Sequence, residues 1–182
     1  MMMAATGPRN LQLAGRLADI VIIQVGANPE SCAWAIEHIR RGAHSAGRSM
    51  AQIEVVAHCA IHISDDLDEA RSETRWIAEL VGLHSGAVAK ASSDHGMPEP
   101  LMRLASLELG HYDYSSHLDD QVKRRSYPDE VIDDVALIGT VDEIAERVNA
   151  LHAVGVTELA PAYLNGSNQI KLIGEGLIPR FR

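Results

Sequence analysis

Short apolar runs that alternate with stretches of helical periodicity constrain the fold of this chain more than any other feature. The apolar runs occupy residues 2–6, 20–25, 53–63 and 156–164, and helical spacing of apolar residues follows each run. This order is typical of βα units, whose right-handed crossovers lay successive strands side by side. The sequence therefore predicts an α/β fold with four parallel strands. Because residues 20–25 are mostly apolar, both faces of that strand are expected to be buried.

Capping residues mark where several of the predicted helices begin and end. Pro8 stands near the first position of one helix, where its missing N–H costs little, and Asn28 is placed to cap the next helix. Thr140 and Glu143 have the spacing of a capping box. Gly47 follows a helical stretch and is expected to end it. Local signals thus support the positions of the helices independently of the apolar pattern.

A long stretch without clear periodicity precedes the last βα unit. Residues 82–127 contain Gly, Ser, His and Pro, with one helical segment near residues 101–109. Insertions of this length often carry function. Within it, residues 112–117 (Tyr-Asp-Tyr-Ser-Ser-His) place two tyrosines beside two potential acid–base groups. This segment could line a site, or equally form a packed surface loop.

Charge and composition exclude several classes of function. The 182-residue chain has a formal net charge of −9, and its local basic cluster is limited to residues 123–125, so no nucleic-acid partner is expected. No apolar run approaches the ~20 residues that span a bilayer, so no membrane partner is expected either. No signal peptide is visible, and the two cysteines form no CxxC motif, which favours a reducing cytoplasm.

The first candidate site is the turn Thr6-Gly7-Pro8, between the first predicted strand and its helix. Ligands of parallel α/β folds bind at the carboxyl ends of the strands. The N–H groups of a helix N-terminus attract phosphate, Gly7 allows close approach of the backbone, and the Thr6 hydroxyl can donate a hydrogen bond. The alternative is an ordinary strand–helix turn without a ligand.

A second candidate follows the next strand, and the third strand carries two histidines. Gln24 and Gly26 would lie beside the first turn, although Gly26 could equally be a simple turn glycine. His58 and His62 share one face of a strand but lie about 13 Å apart, which is too far to bind one metal ion. We therefore expect no metal site, and a hydrogen-bonded structural role for His62. Motifs for a catalytic nucleophile, such as GxSxG, are absent.

Several segments together resemble the luciferase-like monooxygenase superfamily. The closest branch resembles the deazaflavin (coenzyme F-420)-dependent oxidoreductases that are similar to methylenetetrahydromethanopterin reductase. The order and spacing of these segments carry the resemblance over nearly the whole chain. They are residues 4–8, 13–15, 18–19, 21–23, 36–48, 55–56, 64–66, 112–114 with His117, 128–130, 139–140, 142–145 and 153–156.

The resemblance implies a TIM barrel of which this chain forms the C-terminal half, (βα)5–8, as a single domain over residues 1–182. It implies a flavin- or deazaflavin-dependent oxidoreductase that performs hydride transfer or monooxygenation on a small molecule. The cofactor would be coenzyme F-420 or FMN. Thr6, Gly7 and Pro8 would hold its phosphate, with Gln24 and Gly26 next to it.

Departures from the family pattern limit what the resemblance implies. The first four strands are absent, and they supply much of the family's cofactor-ring pocket and its usual acid–base residues. Ile20 also stands where the family usually has Gly. No catalytic residue can therefore be assigned to this chain.

A four-stranded half barrel leaves two open sheet edges and an uncovered inward face. Three arrangements are compatible with this: a homodimer, a partner chain that supplies the N-terminal half barrel, or a truncated fragment. The alternative to the oxidoreductase is a non-catalytic flavin-binding or assembly module, or an inactive remnant.

Overall fold

The structure is a computed structural model that describes residues 1–91, 96–107, 127–162 and 166–181. Its strands and helices alternate along most of the chain, as the apolar pattern predicts. The strands are β1 (Met2–Ala5), β2 (Ile20–Ile23), β3 (Glu54–Ile63), β4 (Ala136–Gly139) and β5 (Glu158–Pro161). The α-helices are α1 (Pro8–Leu17), α2 (Pro29–Ser45), α3 (Leu67–Thr74), α4 (Trp76–Ala91), α5 (Glu99–Ser106), α6 (Asp129–Val135), α7 (Val141–Ala153) and α8 (Gly166–Leu172). Shorter helical segments are the 3-10 turns Met50–Gln52 and Ile178–Phe181 and the π-helical turn Ile173–Leu177.

β3 is the central strand of a fully parallel sheet. It has 10 residues, whereas each of the other strands in the described part of the chain has four. β2 pairs with its first residues, from Glu54, and β4 pairs with its last four, up to Ile63. β5 pairs with the segment around His58. β1 is attached to the sheet through β2.

Backbone hydrogen bonds show which strands share an edge of β3. Glu54 N donates to Asp19 O, just before β2, and Ser64 N donates to Gly139 O at the end of β4. Thr157 N, just before β5, donates instead to Val55 O. Because the backbone groups of successive strand residues point to opposite edges, β2 and β4 lie along one edge of β3 and β5 lies along the other.

The prediction of four strands is wrong by one, because β4 is an additional short strand. β2 ends at Ile23, and β4 takes its place along the upper part of β3. No sequence signal separates Ala136–Gly139 from the helix before it, since four apolar residues are too few to show a period. The last predicted strand is confirmed but is shorter than expected, Glu158–Pro161. A helix follows this strand, as the helical spacing of the apolar residues predicts, from Gly166 to Leu172.

The local signals for helix ends are confirmed where the structure describes them. Asn28 accepts a hydrogen bond from Glu30 N at the start of α2, and Thr140 and Glu143 form the expected capping box before α7. Gly47 adopts φ = +70° just after α2, a conformation that favours glycine. These ends depend on contacts within a few residues, and this is why sequence alone predicts them well.

The two faces of the sheet differ strongly in burial. The face that α1, α2 and α7 cover includes Val21, Ile23, Val55 and Cys59, all with 0% exposure. The opposite face, here called the inner face, is partly open. By the alternation along the strands it comprises Met2, Ala4, Ile20, Ile22, Gln24, Glu54, Val56, His58, Glu158 and Ala160.

The expectation that both faces of the second strand are buried is therefore wrong for its inner face. Ile20 and Ile22 are only partly buried, and Met2 on the neighbouring strand is 57% exposed. The apolar sequence is that of a barrel interior, which is a packed core when the opposite strands are present. Among the described residues it is covered only in part, since Val56 on the same face is buried.

Two glycines allow α1 and α2 to pack in direct backbone contact. A Cβ atom on Gly15 would lie 2.0 Å from Ile39 O, and one on Gly42 would lie 1.9 Å from Gln12 O. No side chain at either position fits without moving a helix. This contact fixes α1 against α2, and thereby fixes the direction in which the N-terminus of α1 points.

Ion pairs hold α6, and the strand β4 that follows it, against the rest of the fold. Arg71 of α3 binds Asp133 through two hydrogen bonds of 3.0 and 2.9 Å. Asp134, with a side chain only 11% exposed, accepts from Asn28 Nδ2 at 2.8 Å and from Arg103 Nη2 at 2.7 Å. Asp134 thus joins the start of α2 and helix α5 to α6.

We predict that Asp134→Ala lowers the free energy of unfolding by about 2–4 kcal/mol, because it leaves an arginine and an amide without their buried acceptor. Urea denaturation measures the effect. The matched control is Glu175→Ala, which removes an exposed carboxylate 3.9 Å from Lys171 and is expected to change stability by at most about 0.5 kcal/mol. Equal effects of the two substitutions would contradict a central role for Asp134.

Candidate functional site

The carboxyl ends of β1 and β2 meet one layer of polar side chains on the inner face. Ala5 pairs with Ile23, and Ile23 pairs with Ala57, so the next residues in register are Thr6, Gln24 and His58. We call these three residues the polar layer. The layer below it on β1 and β2 consists of Ala4 and Ile22 and is apolar. The transition from apolar to polar occurs where a parallel sheet binds ligands.

The turn after β1 leaves the N-terminus of α1 without a protein cap. Gly7 is the N-cap residue with no side-chain cap, Pro8 is in the first turn, and no acidic residue is present there. Leu11 N makes the first intrahelical bond to Gly7 O at 2.9 Å, so the N–H groups of Arg9 and Asn10 have no acceptor within the helix. These free donors, together with the helix dipole, favour an anion.

Helix α4 borders the same turn. A Cβ atom on Gly7 would lie 3.2 Å from Val88 Cγ2, so any larger residue at this position would require Val88 to move. Thr6 and Gly7 are both partly buried, whereas Pro8 is buried. The turn therefore lies in a recess between α1 and α4, and the sequence-predicted residues Thr6, Gly7 and Pro8 are contiguous there.

Gln24 lies next to this turn in the register of the sheet, and its amide contacts His58. Gln24 Nε2 lies 3.1 Å from His58 Nδ1. His58 is half-buried, and its loss of solvent lowers its pKa from the ordinary value of 6.5. The neutral imidazole is thus the favoured form on this face. The place of His58 beside Gln24 was not predicted from the sequence, although the period of two along both strands could have indicated it.

Gly26 is fully buried and has a structural task that is independent of any ligand. Its φ is +85°, and a Cβ atom would lie 2.9 Å from both Asp134 O and Val135 Cα. The neighbouring Ala27 N donates to Asp134 O at 3.0 Å. Gly26 therefore lets the chain leave β2 beneath α6. The structure places it two residues beyond the polar layer, and its predicted contact with a cofactor stays a prediction.

The predicted structural role of His62 is confirmed. His62 is buried, with Nε2 3.3 Å from Gln169 Nε2. Gln169 also accepts from Ile63 N at 2.8 Å and donates to Ile63 O at 2.9 Å. The Gln169 amide thus takes the place of a neighbouring strand beside the upper end of β3. His62 belongs to this packed corner rather than to the open face.

Chemistry by metal or thiol finds no support in the described part of the chain. No group of three or more His, Cys, Asp or Glu side chains there is placed to hold a metal ion. Cys32 and Cys59 are fully buried free thiols, and burial raises the pKa of each to about 12. Neither thiol is a nucleophile at neutral pH.

Among the described residues, no helix combines the length and the apolar character that are needed to span a bilayer.

A groove lies on the other side of the sheet, away from the polar layer. It has a volume of about 720 Å³ between α7, β5 and the C-terminal turns, and mostly aliphatic side chains such as Val148 and Leu159 line it. It contains no uncapped helix start and does not reach Thr6 or Gln24. The predicted loop at residues 112–117 and the basic residues 123–125 lie outside the described residues.

Parallel βα units that are covered by helices on one face and partly open on the other form half of a barrel. The sequence profile of one family, luciferase-like monooxygenase, matches residues 1–158. The chain belongs to this family. The resemblance inferred from the sequence is confirmed.

The most similar curated relatives include the 5,10-methylenetetrahydromethanopterin reductase of Archaeoglobus fulgidus. It is 30% identical over 181 residues, which cover 98% of this chain and 53% of the relative. The chain thus spans about half the length of the curated relatives that it matches. It also spans half of a solved structure, the coenzyme F-420-dependent tetrahydromethanopterin reductase of Methanopyrus kandleri. That match covers 100% of this chain and 50% of the other, with 22% identity and a TM-score of 0.68.

A third similar protein is a riboflavin lyase whose structure contains a modified FMN. The fold matches with a TM-score of 0.60 and 17% identity, over 98% of this chain and 41% of that one. Relatives with this fold therefore include both coenzyme F-420 and FMN proteins. The predicted fold, half of a TIM barrel, is confirmed.

The lowered pKa of His58 predicts a pH dependence of stability. As the pH falls, His58 is protonated at a higher pH in the unfolded chain than in the folded chain. This residue therefore lowers the free energy of unfolding as the pH falls below about 6.5. We expect a shallower decline of stability in His58→Gln when urea denaturation is compared at about pH 7.5 and about pH 5. The matched control, His44→Gln, removes an exposed imidazole and is expected to keep the wild-type profile. A decline as steep as the wild type's in His58→Gln would contradict the assignment.

Proposed function

We propose that this protein is the cofactor-phosphate half of a luciferase-like oxidoreductase that uses coenzyme F-420 or FMN. The observation that carries the proposal is the shared register of Thr6 and Gln24 beside the uncapped N-terminus of α1. A phosphate at this turn accepts hydrogen bonds from backbone N–H groups and from the Thr6 hydroxyl. Arg9 in the first turn of α1 adds positive charge, and no carboxylate of that turn opposes it.

Family membership supports the same chemistry. The relatives named above are two reductases, one of them dependent on coenzyme F-420, and a riboflavin lyase whose structure contains a modified FMN. The cofactor supplies hydride transfer or oxygen activation, and this chain binds and orients it. The substrate is a small molecule that reaches the cofactor at the carboxyl ends of the strands.

The described residues near the turn are better suited to binding the cofactor phosphate than to transferring protons in the reaction. Thr6, Gly7 and Gln24 provide donors, a close backbone approach and an amide. A carboxylate or a charged imidazole beside the polar layer would be needed for proton transfer, and the described inner-face carboxylates, Glu54 and Glu158, lie in lower layers. In this proposal the chain binds the cofactor, and the proton-transfer groups come from outside its described residues, including the half that completes the barrel.

Substitutions of Thr6 test the phosphate contact. Thr6→Ala and Thr6→Val remove the hydroxyl and are expected to weaken binding of FMN and of coenzyme F-420 by about 3- to 10-fold, the usual effect of one hydrogen bond. Thr6→Ser keeps the hydroxyl and is expected to bind like the wild type. Fluorescence titration of the purified chain measures all four proteins. No binding of either cofactor to the wild type would contradict the proposal for the isolated chain.

The inner face indicates the kind of partner. Its side chains are those of a barrel interior, and among the described strands β1 and β5 each have one edge without a neighbour. We infer that a second half barrel covers this face, either a second copy of this chain or a chain that carries the N-terminal half. A two-fold axis would place β1 of each copy beside β5 of the other.

Ile22→Glu tests this assembly. Ile22 is only half-buried in the single chain, so a carboxylate there is tolerated by the monomer, whereas burial of an unpaired charge disrupts a covered face. We expect the wild type to have about twice the chain mass of 19.7 kDa by light scattering, and Ile22→Glu to be monomeric. The matched control is Leu17→Glu, at a site 52% exposed on the other side of α1, which is expected to remain a dimer. A monomeric wild type would exclude the second copy and favour a separate N-terminal half.

The non-catalytic alternative rests on a specific observation, the span of only half the relatives' length. A flavin-binding or assembly module binds cofactor but has no turnover. Reduction of bound FMN or coenzyme F-420 by the assembled protein in the presence of a hydride donor separates this alternative from the oxidoreductase.

A further inference from the structure

The two histidines of β3 each contact a glutamine amide nitrogen, through different ring nitrogens. An amide nitrogen only donates hydrogen bonds, so the ring nitrogen that it contacts must be the acceptor. In a neutral imidazole the proton then resides on the other nitrogen. Gln24 Nε2 contacts Nδ1 of His58, whereas Gln169 Nε2 contacts Nε2 of His62. The two contacts therefore specify opposite tautomers.

For His62 the assignment is fixed by the backbone. Gln169 Oε1 must accept from Ile63 N at 2.8 Å, which leaves its Nε2 to face His62. His62 is buried in this corner and is the Nδ1–H tautomer. It has a structural role and provides an internal reference for the other histidine.

For His58 the consequence concerns the open face. With the Gln24 amide nitrogen against Nδ1, the proton of a neutral His58 would be on Nε2, and Nε2 has no hydrogen-bond partner among the residues that the structure describes. The ring is half-buried in a row that runs from Thr6 through Gln24 to Ala160 of β5. On that strand the neighbour of His58 is Ala160, which presents only a methyl group.

Position within the sheet indicates which part of a ligand His58 meets. Neighbouring strands lie about 4.8 Å apart, so the backbone of His58 lies about 10 Å from that of Thr6 across β2. A ligand with its phosphate at the Thr6 turn would thus extend its ring system along the polar layer toward His58. Flavin and deazaflavin rings share carbonyl oxygens, which accept hydrogen bonds.

We propose that His58 is a ligand-binding residue of the inner face: Gln24 holds its imidazole as the Nε2–H tautomer, and Nε2–H donates a hydrogen bond to a ring carbonyl of the cofactor. This assignment rests on the proposed cofactor site. Gln24 is then a positioning residue that acts through His58. Within the polar layer, Thr6 then contacts the phosphate of the cofactor and His58 contacts its ring.

Nitrogen-15 NMR of the unliganded chain tests the tautomer first. We expect the Nε2–H pattern for His58 and the Nδ1–H pattern for His62 in the same spectrum. Gln24→Glu places an acceptor against Nδ1, and it is expected to move the proton of His58 to Nδ1 while His62 stays unchanged. An Nδ1–H pattern for His58 in the wild type would overturn the proposal.

Titrations with riboflavin and FMN test the ligand contact. Riboflavin lacks the phosphate, so it isolates contacts to the ring. His58→Leu is expected to weaken both ligands by the same factor, about 3- to 10-fold, and His58→Gln, which retains a donor, to recover part of the loss. Thr6→Ala is expected to weaken FMN alone, and His44→Gln serves as the surface control.

The outcomes separate the two proposals. A wild type that binds neither FMN, riboflavin nor coenzyme F-420 contradicts the proposed function, and the ring contact of His58 with it. If the wild type binds FMN, and His58→Leu binds FMN and riboflavin as tightly as the wild type does, the ring contact alone is overturned. A shift of the His58 Nε2 resonance at saturating FMN, with His62 unmoved, supports it.

Discussion

Pairing along β3 is the constraint on which the rest of this structure depends. Three strands are attached directly to β3, and β1 is attached through β2, so every strand of the described sheet depends on this segment. Its length allows β2 and β4 to follow one another along one edge while β5 occupies the other. β3 therefore sets the height of the sheet on both sides, and it carries His58 on the partly open inner face and His62 in the packed corner near its end.

The inner face connects the fold to the function. Its side chains suit a barrel interior, but the strands that would pack against them belong to a half that the matched relatives possess and this chain does not contain. Burial in the described structure is consequently asymmetric: the helix-covered face is fully packed, and the inner face is half-open. The same openness that exposes Met2 leaves Ile22 and His58 partly exposed, so in the proposed assembly the half barrel that covers this face would also close the polar layer.

Much of the fold could be predicted from the sequence, because βα order and helix caps are local properties. Thr140 and Glu143 lie within one turn of helix, and the apolar runs identify β1, β2, β3 and β5. β4 could not be predicted, since Ala136–Gly139 becomes a strand only because β2 has ended and the edge of β3 is free.

The candidate site could likewise be predicted from the sequence only in part. Sequence predicted Thr6 and Gln24 from their places at strand ends, and the register brings them into one layer. The role proposed for His58 was not predicted from the sequence, because its contact with the Gln24 amide joins residues 34 positions apart. The structural demand on Gly26 was likewise invisible, since Val135 approaches it from a distant segment.

The burial of Cys59 has a consequence for how the sheet can be studied. Its thiol lies on the helix-covered face of β3 with no exposure, and its high pKa keeps it unreactive while the strand is in place. Reaction with a thiol reagent therefore requires that the helices separate from β3. The rate of labelling at Cys59 therefore reports how often the sheet opens. A partner that closes the barrel would lower this rate without contacting the cysteine.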